Sequence, residues 1–253
     1  MALTIPPFVA PFDTETSGVD LDSDRIVTAF VGKLDTASGE LIYQREWLIN
    51  PGVEIPQGAI DVHGVTNERA QADGTDPAIA IAEIIDTLIE LTADGTPAVA
   101  YNGRFDFTLL DREARRHDLV PFEPVHVIDP LIVDKQLDPY RRGKRTLQVV
   151  SDLYGCGLVD AHDAASDAIA AGRLAVKMLH KLSHIGSLDE LMNLQRVWAL
   201  QQAASLQDYF RRKDPTVVIE GRWPVVPFEP RPAADELDEE LLLTASSENT
   251  SWF

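Results

Sequence analysis

An α/β layered domain built on a mixed central sheet is the fold this sequence predicts, and three observations predict it. Three strand-like segments near the start are joined by short turns, and from about residue 98 apolar strand-like runs alternate with helical ones. The 253 residues, 45% apolar and 25% charged, suffice for one large core with appendages. Short connections imply antiparallel neighbours in the first part. Strand–helix alternation implies parallel ones in the second, hence a mixed sheet flanked by helices.

Residues 7–13 (PFVAPFD), 25–34 (RIVTAFVGKL) and 40–49 (ELIYQREWLI) are rich in Val, Ile, Phe, Tyr and Trp, and turns containing Asp and Gly separate them. They are expected as an antiparallel meander. Residues 50–66, NPGVEIPQGAIDVHGVT, are too rich in Pro and Gly to suggest regular structure. An amphipathic helix is expected over Asp76–Leu91, capped by Asp76 with Pro77 in its first turn. The buried strand AVAY (98–101) leads to a helix near Arg104–His117. A strand near 124–128 follows, then helices near 129–137, 146–154 and 163–182. A further helix over Ser187–Lys213 is expected to pack through Leu188, Leu191, Leu194, Val197, Trp198, Ala204 and Leu206. The proline-bound EGRWPVVPFEPRP should then lie extended across the domain surface, before an acidic tail from Ala233 onward.

No apolar run approaches the ~20 residues of a membrane span, and the start lacks the features of a signal peptide. A cytoplasmic protein without membrane contact is therefore expected. The single cysteine, Cys156, rules out an internal disulfide and a multi-cysteine zinc site, and is expected as a small core residue. Any metal must be held mainly by oxygen and nitrogen. The net charge of −19 argues at first against nucleic acid, but residues 229–253 carry −6 of it and leave −13 for the rest. Basic residues cluster at Arg112, Arg115 and Arg116, at Arg141, Arg142, Lys144 and Arg145, and at Arg211–Lys213. Each cluster taken alone reads as a solvated face.

The chemistry starts in FDTETSG (12–18). Residues i and i+2 of a strand share a face, so Asp13 and Glu15 converge beside the core. Two such carboxylates need a shared proton, an arginine or a metal ion between them. In AYNGRFDFTLL (100–110), Asp106 rides on a helix that opens directly after a buried strand, well placed to reach the same site. In DAHDAASDAIAAGRLAV, Asp167 lies in the first turns of a helix whose small residues permit close approach to a sheet. His162 precedes that helix and shares its site only from a loop. Asp163 reads as the helix cap. Two other features are set aside: DLDSD (20–24) lacks the glycine and glutamate of a calcium loop and reads as a polar turn. GCG (155–157) reads as a helix stop.

In this order, Asp13-x-Glu15, YNGRFD ending in Asp106, and His162-x4-Asp167 resemble the three motifs of the DEDD exonuclease superfamily, in its histidine-bearing (DEDDh) branch. That family includes the proofreading epsilon subunit of bacterial DNA polymerase III and ribonuclease T. HGVT (63–66), Asp129-Pro130 and RTL (145–147) match secondary positions. The resemblance covers residues 6–183 and implies a ribonuclease H-like exonuclease domain. Residues 184–232 would be a helical and extended C-terminal extension packed on it, similar to extensions of some actinobacterial and phage exonuclease-like proteins, and 233–253 an acidic tail.

The resemblance also implies a mechanism. Two Mg²⁺ or Mn²⁺ ions are held by Asp13, Glu15, Asp106 and Asp167, with Asp13 bridging them and Asp106 acting mainly through water. His162 is the general base, and a nucleoside 5′-monophosphate leaves from the 3′ end. Thr14, Thr16 and Ser17 would contact the terminal sugar, and His63, Val65, Asn102 and Phe105 would line the site of the last nucleotides. The RRGKR segment would meet the phosphate backbone. DNA 3′ ends are the expected substrate, with a polymerase or sliding clamp as expected partner. A 3′ exoribonuclease shares every motif, and a non-catalytic binding subunit is the reading from another class. LQDYF (206–210) resembles a clamp-binding peptide but falls in a helix, where packing is expected.

Overall fold

The computed structural model of the protein describes residues 3–157 and 163–229. Its sheet has five strands in the order β3-β2-β1-β4-β5. The first three, β1 (Phe8–Thr16), β2 (Ile26–Asp35) and β3 (Leu41–Leu48), form the expected antiparallel meander. β4 (Ala98–Val99) pairs parallel with β1, and β5 (Val127–Ile128) parallel with β4. The sheet is mixed, as expected, although β4 and β5 are shorter than the apolar runs that mark them.

Helices flank it: α3 (Pro77–Thr92), α4 (Arg104–Arg116), α5 (Pro130–Leu137), α6 (Leu147–Tyr154), α7 (Ala164–Lys181) and α8 (Leu188–Arg211). Asp76 caps α3 by accepting from the backbone N–H of Ala78 and Ile79, and Gly155 ends α6 in the left-handed conformation. β1 alternates between the layers. Phe12 packs on Phe107 of α4, ring centroids 5.4 Å apart. Its neighbour Asp13 sits opposite Phe30, whose side chain packs with Ala164 and Ala168 of α7. Adjacent residues of a strand face opposite ways, so α4 and α7 cover opposite faces. Gly172 lets α7 lie close, since a Cβ there would stand 3.3 Å from that of Pro11.

Four expectations are corrected, that of Cys156 last. Residues 50–66 are not wholly irregular: α1 (Gln57–His63) lies within them directly after Pro56, and α2 (Asn67–Asp73) starts directly after Thr66. Pro56 enters α1, Gly64 closes it at φ 73°, and Thr66 caps α2 by accepting from Arg69 N–H, so the residues read as breakers act as caps. On α8 only Leu191, Met192, Gln195 and Trp198 are buried; Val197, Ala204 and Leu206 are exposed, as are Tyr209 and Phe210 of LQDYF. The apolar count exceeds what one short contact face can cover. Two basic clusters are not solvated faces. Arg112 is buried on Asp111, and Arg141 and Arg145 both pair with the fully buried Asp134.

Cys156 is half-buried against the core rather than inside it. Residues Leu191, Met192 and Trp198 of α8 and Trp223 beyond it belong to the same core cluster as the sheet. Among the described residues no helix is long and apolar enough to cross a membrane.

Candidate active site

β1 emerges from the sheet between its two helical layers, and its alternation sorts the acids. Asp13 and Glu15 face the α7 side, where Asp167 projects from the first turn of α7. The three carboxylates offer oxygens that all lie within 4.8 Å of one another. Burial pushes the Asp13 carboxyl well above its usual range, and Asp106, Asp167, Glu15 and Asp163 push it the same way. Glu15 is pushed up to about 8, by burial first and then by Asp167, Asp106 and Asp163. The charges that act most on the pair are all acids. Among the described residues no arginine pairs with Asp13 or Glu15. A proton, or a hard cation bound through oxygen, fits this set, and at neutral pH the carboxylates suit divalent ions.

Asp106 arrives from the other face. Thr14, between the two acids of β1, points toward α4 and donates both its backbone N–H (3.1 Å) and its hydroxyl (2.7 Å) to Asp106 Oδ1. This ties the fourth carboxylate to the strand but leaves it outside the tight trio. Burial raises Asp106 to about 7 against the lowering effect of the Thr14 bonds and its own backbone N–H.

The turn before α4 is braced in turn. The buried carboxylate of Asp129 accepts from the N–H groups of Asn102 and Gly103, each at 3.0 Å, and from Trp223 Nε1 at 3.2 Å. Gln195 of α8 receives the Asp129 N–H at 2.8 Å. Asn102, exposed, takes φ 61°, and Phe105 is half-buried one residue before Asp106. Asp129 also caps α5 through the N–H groups of Leu131 and Ile132; its bracing of this turn was not legible from Asp129-Pro130, because the partners in the brace lie 26 to 94 residues away.

A cavity of about 240 Å³ opens beside Glu15, lined also by His63, Val65, Trp47, Arg69 and Asp163. His63 Nδ1 accepts from the Val65 N–H at 3.1 Å, which leaves the hydrogen on Nε2 in the neutral ring. Burial lowers the pKa of His63 in spite of the nearby Thr16 backbone. Asp163 caps α7 through Ser166 N–H, as expected, yet it also lines this cavity and acts on both acids of β1. That second position was not legible from the cap pattern.

Thr16 donates its hydroxyl to Gly18 C=O. Ser17 spends both donors inside the protein, its N–H on Arg25 C=O and its hydroxyl on Asp24, so it has none left for a sugar. In RRGKR, Arg141 and Arg145 turn inward to Asp134, while Arg142 and Lys144 stay exposed. His162 lies outside the described residues.

Residues 11–175 match the family model described as Exonuclease (RNase_T). The chain is 28% identical over 184 residues to the PolC-type DNA polymerase III of Streptococcus mutans, covering 72% of this chain and 12% of that protein. It is 26% identical over 207 residues to the corresponding Staphylococcus aureus polymerase, covering 82% and 13%. The chain thus spans about an eighth of these relatives. Among solved structures it is similar to E. coli exonuclease I in complex with a dT13 oligonucleotide (TM-score 0.57, 22% identity, 71% of this chain and 42% of that one). It is also similar to the nuclease domain of 3′hExo, a DEDDh family member, bound to rAMP (TM-score 0.58, 16% identity, 72% and 96%). These likenesses confirm the ribonuclease H-like fold.

Proposed function

The chain belongs to the Exonuclease (RNase_T) family, and on that premise we propose that it is a divalent-metal-dependent 3′-to-5′ exonuclease acting on DNA ends. The observation that carries this reading is the convergence of Asp13, Glu15 and Asp167, with Asp106 tethered beside them by Thr14. Oxygen-only donors select hard cations, Mg²⁺ or Mn²⁺, and family membership supports metal dependence. Two such ions, when bound, neutralise phosphate charge and make water a stronger nucleophile.

The residues divide the remaining work. Asp13, Glu15 and Asp167 hold the cations, and Asp106 holds its place through Thr14. His162, which matches the histidine of the family's third motif, takes the proton of the attacking water, as the resemblance implies. The backbone of Thr14–Thr16, with His63, Val65, Asn102 and Phe105, borders the terminal nucleotide; exposed Arg142 and Lys144 meet phosphate. Stacking on such groups tolerates any base, as a proofreading or end-processing enzyme requires. Residues 6–183 form the catalytic domain, 184–232 an extension that braces it and 233–253 a tail. The PolC-type relatives support a polymerase as partner, and a sliding clamp is the further partner proposed with it.

The test is a gel assay with 5′-labelled DNA and RNA of one sequence, in Mg²⁺ or Mn²⁺, beside EDTA and Asp13→Ala controls. A ladder that shortens from the 3′ end and vanishes in both controls is expected, faster on DNA. Faster cutting of RNA would assign the enzyme to RNA, and no ladder on either polymer would overturn the reading.

A further inference from the structure

Beyond its first turns, α7 buries nearly everything it carries except four side chains. Arg173, Lys177, His180 and Lys181 are exposed, and no acid stands among them. Their spacing of four, three and one puts them on one solvent-facing stripe. Among the described residues none of the four enters an ion pair, in a chain where most buried and half-buried arginines do. Arg173 Nε donates to Gly39 C=O at 3.2 Å, and Lys181 Nζ lies 4.8 Å from the centre of the Tyr154 ring. These contacts orient the two side chains and leave their charge unmatched.

The stripe borders a cavity of about 470 Å³ between α7, the β2–β3 turn and Gly155–Cys156, in which Glu40 is the single acid among the lining residues. The macrodipole of α7 accounts for cations in its last turn, where His180 and Lys181 sit. It does not account for Arg173 and Lys177, which lie one to two turns earlier. A chain of net charge −19 that gathers on one face cations with no ion-pair partner among the described residues presents a polyanion with its complement there.

We propose that this face of α7 holds the phosphate backbone of the nucleic acid whose 3′ end lies at the carboxylates. The inference rests on the exonuclease reading above. Asp167 and Arg173 share α7, six residues or ~9 Å apart along its axis. That is two to three steps of the ~3.4 Å per nucleotide along one strand of B-form DNA. Around the helix the two stand about 120° apart, at ~100° per residue, so a strand ending at Asp13, Glu15 and Asp167 bends over α7 and reaches the stripe several nucleotides from its end. A dinucleotide does not.

The experiment compares the full chain with Arg173→Gln/Lys177→Gln, and with the charge-preserving Arg173→Lys/Lys177→Arg. Anisotropy measures binding of a labelled single-stranded 20-mer, protected by phosphorothioates at its 3′ end, across a KCl series with Mg²⁺ present. The Gln pair is expected to bind more weakly, with a slope of log K against log[salt] shallower by ~1.4, from ~0.7 per lost phosphate contact. The charge-preserving pair should keep the wild-type slope, and all three should hydrolyse a dinucleotide at one rate. Equal slopes for the Gln pair and wild type would overturn the proposal and leave the face to an acidic protein. Failure of the wild type to cut any substrate would sink the exonuclease reading instead, while the binding slopes still decide the stripe.

Discussion

At the scale of the residue, the acids at the end of β1 set the protein's response to pH and metal. Burial and the neighbouring acids raise Asp13 and hold Glu15 near 8, and burial holds Asp106 near 7. The unfolded chain releases these protons near pH 4, so between about pH 4 and 8 the folded protein binds more protons than the unfolded one, and stability falls as pH rises. Thermal melts of metal-free protein should show that decline, and Mg²⁺ should raise Tm more at pH 8 than at pH 5. A Mg²⁺ effect independent of pH would contradict the site. Asp13→Ala should lower kcat by at least ~10²-fold, the scale of losing one electrostatic stabiliser of the transition state. Thr14→Val keeps the volume but deletes the 2.7 Å bond to Asp106. Asp106 should then keep its proton to higher pH, moving the acidic limb of the pH–rate profile upward, at a stability cost of ~1–3 kcal/mol. Asp13 and Glu15 were legible as a pair because strand alternation is local. The Thr14–Asp106 tether was not, since it joins residues 92 apart.

At the scale of the element, the C-terminal extension is part of the site's support. Trp223 is buried in the main core and donates to Asp129, which holds the Asn102–Gly103 turn at the start of α4. Trp223→Ala should cost ~3–5 kcal/mol by cavity formation, read from urea melts. Trp223→Phe keeps most of the apolar volume and loses the indole donor. It should lower kcat with little loss of stability, if the brace sets the position of Asp106. The segment EGRWPVVPFEP was legible as extended, but its target was invisible, because proline content reports local conformation and says nothing of a distant carboxylate. In the same way, Pro56 and Gly64 signalled an interruption correctly and concealed α1, whose ends they form, while the cap that Thr66 gives α2 was not read. Arg141 and Arg145 read as surface charge until the fold supplied the buried Asp134 between them.

At the scale of the whole molecule, one main core runs from β1 to Trp223, with two smaller clusters beside it, so truncation sites differ sharply. Ending the chain after Ser187 removes Leu191, Met192, Trp198 and Trp223 from that core and should leave no cooperative unfolding transition. Ending it after Pro232 should preserve both the melt and the cutting of free oligonucleotides; loss of activity there would make residues 233–253 part of the catalytic unit. The amino-acid sequence by itself determined the meander, the strand–helix alternation, the caps at Asp76, Asp163 and Gly155, and the acids that face one another, because each is written in neighbours a few residues apart. Tertiary structure alone decided that Thr14 hands Asp106 to the site, that Asp163 joins the cavity it caps beside, that Ser17 is spent internally, and that α7 carries an unmatched basic face. Those outcomes depend on which distant groups a folded backbone brings within a few ångströms, and on which charges find partners when it does.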